Sequence, residues 1–176
     1  AEVFETISLP TLDSLRRSQR GTCPQFKYDL NGFLSALGTG GPPLTSLDSI
    51  IRSNRFHPTV QRRLEQEQQA QAPPGELPGC RSRDEFRAGL RAAVVRAMDD
   101  QRLDALVYPT WSNPPRLIGD LNGPHGNNSA FFSPSTGFPA MTVPIGYSRG
   151  VLPAGMTLFG RPWSEATLIR LAFAYE

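Results

Sequence analysis

Apolar residues recur at helical spacing through the first half of the chain and gather into short runs in the second. Phe26, Leu30, Phe33, Leu34 and Leu37 repeat every three or four positions, with Gly38 as a stop. "TSLDSIIRSNRF" reads as a second short helix capped by Thr45 or Ser46. A third begins near Pro58 and runs through "VQRRLEQEQQAQA" to Pro73, with so much Gln and Glu that it is largely solvated. Ser82-Arg-Asp-Glu85 forms a capping box that opens a long helix to about Met98, with Phe86, Leu90, Val94 and Ala97 on one face. Before Phe26 only a short helix near Ser14 to Gln19 is legible, between the interruptions at Pro10 and Gly21.

The period then changes. "LDALVYP" is a continuous apolar run ended by proline, as for a strand covered on both faces. A long loop rich in Gly, Pro and Asn follows, with a helical turn expected at Ser129 to Ser133. "PAMTVPIGY" is a second strand, and "AGMTLFG" a third, close enough to form an antiparallel hairpin. Pro144 cannot donate to a sheet ladder, so the second strand needs an unpaired position or a bulge there. Ser164 caps a last helix whose Leu168, Leu171, Ala172 and Tyr175 face inward. The expected fold is α/β, a mixed sheet flanked by helices. Residues 1–176 read as one portion of a single domain, with a mainly helical segment at 26–80 and a helix-strand core at 81–176. Three strands are few for so many helices and leave open edges, so the pattern asks for further strands and predicts poor solubility for the chain alone.

Composition narrows the partners. A net charge of +2 gives no reason to expect nucleic acid or an anionic membrane, and no apolar run approaches the length of a membrane span. The three methionines are Met98, Met141 and Met156, so none initiates the chain, which suggests a piece of a longer one. Cys23 and Cys80 are too few for a metal cluster. Two free thiols in a reducing, cytoplasmic setting are the favoured reading, and one disulfide the alternative. Seventeen of the eighteen basic residues are arginine, and Lys27 is the single lysine. With Phe26, Leu30 and Phe33 assigned to the core, Lys27 is expected in solvent.

Three ordered blocks, "LDALVYPT", "TGFPAMTVPIGY" and "LPAGMTLFGRPWSEATLIRLAFAYE", resemble the C-terminal part of the amidase signature family. The resemblance is close over 80–176 and weaker over 26–60, where "FKYDLNGFLSALG" and "SLDSIIRSNR" carry it. It implies a mixed sheet flanked by helices and hydrolysis of a carboxamide C–N bond in a small-molecule amide, with no metal or organic cofactor. One branch of the family serves as an amidotransferase subunit, and nothing in this sequence selects it. The family's nucleophile is a serine activated through a second serine and a buried lysine, in a Gly- and Ser-rich stretch whose backbone amides hold the oxyanion. This chain has no Ser-Ser pair, and Lys27 sits in the wrong context. No catalytic residue is therefore assigned, and the working groups are expected in a missing N-terminal portion of the same protein. The alternative is a truncated or degenerate, non-catalytic binding protein. Oligomeric state is not legible.

Other chemistry is thin. There is no Gly-x-Ser-x-Gly elbow, "GTGG" lacks the lysine of a phosphate loop, and two histidines without an acidic or thiol cluster make no metal site. His57 reads as a helix cap, and Asp99-Asp100 as the polar end of a helix. Substrate-binding candidates are Trp111, His125, Asn127, Asn128 and Phe131, with Ser112 and Asn113 beside them. They lie on the loop after the first strand, where α/β folds place ligand crevices.

Overall fold

In the computed structural model of the chain, residues 2–5, 7–120, 122–124 and 126–176 are described. The helices are α1 (Leu12–Ser18), α2 (Phe26–Ala36), α3 (Leu47–Ser53), α4 (Gln61–Gln68), α5 (Pro78–Asp100), α6 (Phe132–Thr136) and α7 (Glu165–Tyr175). The strands are β1 (Leu106–Pro109), β2 (Ala140–Ser148) and β3 (Leu152–Phe159). The chain divides into a helical unit, Ser14–Phe86, and a helix-strand unit made of Ala1–Asp13 and Arg87–Glu176.

In the helical unit, α2, α3 and α4 pack on one another around Leu47, which is fully buried. Ser46 caps α3 in a reciprocal box with Ser49, and Asn31 Oδ1 accepts from the Leu47 N–H at 2.8 Å. The face read for α2 from the sequence holds only at Leu30 and Leu34, which are part-buried. Phe26 and Phe33 are exposed, whereas Lys27 turns inward and donates to Gln68 O at 3.2 Å and Ala70 O at 2.8 Å. The carbonyls at the end of a helix have no intrahelical partner, and an ammonium group satisfies them better than an apolar ring does. α4 stops at Gln68, short of Pro73, after a 3₁₀ turn at Pro58–Val60. His57 caps that turn, its Nδ1 lying 2.8 Å from Thr59 Oγ1 and accepting from the Thr59 N–H.

Cys23 and Cys80 form a disulfide across a sequence separation of 57, so the free-thiol reading is wrong. Spacing could not show it, because pairing requires the two Cα atoms to meet, here at 4.5 Å. The bridge sits in a neck where both ends of the unit are tied. The Arg20 N–H donates to Ser82 Oγ at 2.8 Å, Ser82 Oγ donates to Ser18 O at 3.3 Å, and Arg83 Nη1 donates to Gln25 Oε1 at 2.6 Å. Gly79 fits there because it lacks a side chain: a Cβ would lie 2.1 Å from Thr22 O. The capping-box prediction fails for the same reason. α5 begins four residues earlier, at Pro78, whose fixed φ suits a first turn, and Ser82 spends its hydroxyl on the neck.

In the helix-strand unit the sheet order is β1-β3-β2, with both pairings antiparallel. Within this chain the sheet expected to be mixed is thus represented by three antiparallel strands. The β2–β3 turn is made by Arg149, Gly150 and Val151, the first two in the left-handed region. The register slips between Pro144 and Gly146, which is the bulge that Pro144 requires on an edge strand. α7 lies on β2 and β3, where Leu168 and Ala172 pack with Val143 and Leu158. Tyr175, expected inward, is half exposed, and Ser164 gives its hydroxyl to Arg161 O instead of capping α7. β1 is not covered on both faces: Val107 is 56% exposed, because α7 packs on the other two strands. The helical turn expected at Ser129 forms three residues later, as α6.

Candidate functional site

β1 runs out at Pro109, and the chain keeps pairing for a few residues beyond it. The Thr110 N–H donates to Gly155 O at 2.9 Å. Trp111 then forms an isolated antiparallel bridge with Asn127, flanked by Ser112 N–H to Gly126 O at 2.8 Å and Asn128 N–H to Thr110 O at 3.0 Å. The two ends of the long loop are thereby joined over the C-terminal end of β1. Gly126 allows this approach, since a Cβ there would lie 2.7 Å from Ser112 Cβ.

Four of the residues singled out in the sequence, Trp111, Asn127, Asn128 and Phe131, are brought together here, with Ser112. His125 lies outside the described residues. The side chains have different tasks. Asn128 Nδ2 donates to Pro109 O at 2.8 Å and to Ser112 Oγ at 2.9 Å, so this amide braces the loop. Asn127 Oδ1 accepts from Ser129 Oγ at 2.5 Å. Trp111 is 51% exposed. Phe131 stands edge-on to Phe132, with centroids 4.9 Å apart. Further along the loop, Asp120 Oδ1 accepts from the Gly123 and Asn122 N–H groups, and these bonds, with nearby Arg116, hold its carboxyl below the usual range.

Beneath the loop lies a row of hydroxyls that sequence reasoning missed. Thr110 Oγ1 is 2.9 Å from Thr157 Oγ1, which is 3.4 Å from Thr142 Oγ1, so the row runs from just past the end of β1 across β3 to β2. Gly155 leaves the row space, its missing Cβ being 3.0 Å from Thr142 Cγ2 and 3.1 Å from Thr110 Oγ1. On the same face Tyr108 packs against Phe132 and Phe159, at centroid distances of 5.6 and 6.5 Å. Its buried hydroxyl has no hydrogen-bond partner among the described residues, and burial pushes its pKa upward. Alternation along "VYPT" places Tyr108 and Thr110 on one face. Thr142 and Thr157 join them only through strand register, which a single sequence does not reveal.

The arrangement sets an exposed indole beside a loop whose amide and hydroxyl groups bond chiefly to one another. Among the described residues no serine of the loop is hydrogen-bonded to a histidine or lysine. Lys27, the single lysine, is committed to backbone carbonyls in the helical unit. Among the described residues no cluster of His, Cys, Asp and Glu could hold a metal ion, and no helix is long and apolar enough to cross a membrane.

Comparison with protein families matches the Amidase family over residues 27–169. The chain belongs to the amidase family. Among curated amidase relatives, a fatty acid amide hydrolase from Medicago truncatula is 37% identical over 86 residues, 43% of this chain and 14% of that protein. A glutamyl-tRNA(Gln) amidotransferase subunit from Myxococcus xanthus is 36% identical over 95 residues, 51% of this chain and 19% of that protein. The native peptide amidase from Stenotrophomonas maltophilia superposes with a TM-score of 0.70 at 29% identity, covering 95% of this chain and 34% of that structure. This amidase-family chain thus spans about a third of the solved amidase and a smaller share of the curated relatives it matches.

Proposed function

We propose that this chain forms one flank of an enzyme that hydrolyses a carboxamide C–N bond, and that the serine nucleophile and its lysine base lie in a further, N-terminal portion of the same polypeptide. The observation that carries the proposal is the Amidase match across 27–169, joined to a sequence that holds neither a serine pair nor an uncommitted lysine. Residues 1–176 act as a portion of a single domain, whose 81–176 part is the scaffold beside the reaction. Trp111, Asn127, Asn128 and Phe131 line the amide-binding side, and His125, near them in the sequence, stays a candidate by position alone. Asn128 works by fixing the loop, and Trp111 by offering its ring to the substrate. The substrate is a small-molecule amide, and the chemistry asks for no metal.

The expectation of a cytoplasmic location rested on free thiols. With Cys23 and Cys80 joined, an oxidising compartment is the reading that the chain's chemistry supports. The test of function is hydrolysis of a simple aryl amide. The whole polypeptide should turn it over and the 176-residue chain alone should not. Trp111→Ala in the whole polypeptide should raise KM more than it lowers kcat. Turnover by neither preparation would favour a non-catalytic binding protein.

A further inference from the structure

Within the helix-strand unit a cavity of about 430 Å³ opens between α5, the turn after α6 and the start of α7. Arg91, Gly137, Pro139, Pro162, Trp163 and Glu165 line it. Arg91 Nε donates to Thr136 O at 2.6 Å, which fixes the plane of the guanidinium, and neither Nη group has a hydrogen-bond partner among the described residues. Gly137 carries no side chain, and the nearest atom to a Cβ placed there is Arg91 Nη2 at 3.9 Å, so the space in front of the guanidinium is open. Neither Arg91 nor Glu165 forms an ion pair among the described residues. Trp163 has φ +61 and is 91% exposed, holding a large apolar ring at the rim. A cation and an anion thus line one concavity without pairing, beside an exposed indole and two prolines.

We propose that the Arg91–Trp163–Glu165 cavity binds a small zwitterion with an aromatic side chain, an α-amino acid being the simplest. The carboxylate takes the two Nη groups of Arg91, the ammonium takes Glu165, and the ring lies against Trp163 and the prolines. The volume is within the range of small-molecule sites. Binding needs no contribution from the Trp111–Asn128 loop, so the proposal stands whether or not the amide reading is right.

The test is calorimetry on the whole polypeptide, with a Trp163→Ala variant to tie binding to this cavity. Phenylalanine, phenylacetate and phenethylamine are titrated in parallel, and loss of phenylalanine binding in Trp163→Ala is expected. The expected result is saturable binding of phenylalanine, with each singly charged analogue at least about tenfold weaker, the scale of one lost charge-assisted hydrogen-bonded contact. Arg91→Gln and Glu165→Gln should each weaken phenylalanine by a similar factor. Glu165→Gln should at the same time tighten phenylacetate, because it removes a like charge. Should Arg91→Gln fail to fold, Arg91→Lys and Glu165→Gln carry the test. Equal affinity for phenylalanine and phenylacetate, no response to Glu165→Gln, or no saturation with phenylalanine up to its solubility would each overturn the proposal.

Discussion

Removing the Cys23–Cys80 bridge should loosen the helical unit more than any single contact in it. The two cysteines are 57 positions apart. Closing a loop of that length restricts the unfolded chain by about 4 kcal/mol at 25 °C in the chain-entropy description. Domains of this size are stable by only about 5–15 kcal/mol, so the loss is a large fraction of what holds the unit together. The Cys23→Ser/Cys80→Ser variant keeps the neck hydrogen bonds of Ser82 and Arg83, which isolates the covalent term. Urea unfolding followed by amide hydrogen exchange is the assay. Protection across α2 to α4 should fall by about 4 kcal/mol, and residues 140–172 should change far less. Two reactive thiols in denatured, unreduced protein, or a variant within about 1 kcal/mol of the parent, would refute this reasoning.

Lys27→Met leaves Gln68 O and Ala70 O unsatisfied and should cost about 2 kcal/mol, with the end of α4 exchanging first. Gly79→Ala places a methyl against Thr22 O and should destabilise by about 1–3 kcal/mol, read as a lowered midpoint in urea. Leu168→Ala empties the contact of α7 with Val143 and Leu158 and should cost about 2–5 kcal/mol by the same measurement. Tyr108→Phe removes an unpartnered buried hydroxyl and should be neutral within about 1 kcal/mol near pH 7. Because burial raises the Tyr108 pKa, its contribution is present below the ordinary tyrosine range and is lost as pH rises through the raised value. The parent should therefore lose more thermal stability than the variant above about pH 10.

Strand positions, the antiparallel hairpin and the bulge at Pro144 were legible because each depends on local chemistry: apolar runs, a short turn, and a missing N–H. Errors arose where a distant segment decides the matter. Ser82 has the spacing of a cap, yet it serves Arg20 and Ser18, more than 60 residues away. Lys27 sits beside apolar neighbours that suggest the core, yet the open carbonyls of α4 draw it inward. The disulfide likewise depends on a meeting of chain ends that spacing does not encode. In the candidate site the loop residues were visible as an unusual run of Trp, Asn and Gly. The hydroxyl row of Thr110, Thr157 and Thr142 needs the β1-β3-β2 register to exist at all.

The central claim is that the nucleophile belongs to a part of the polypeptide outside these 176 residues. A fluorophosphonate that modifies activated serines, followed by peptide mapping of the whole polypeptide, tests it most directly. The account predicts one adduct, on a serine outside the chain and close to a second serine, and no labelling of the chain alone. An adduct on Ser112, Ser129, Ser133 or any other serine within residues 1–176 would contradict it.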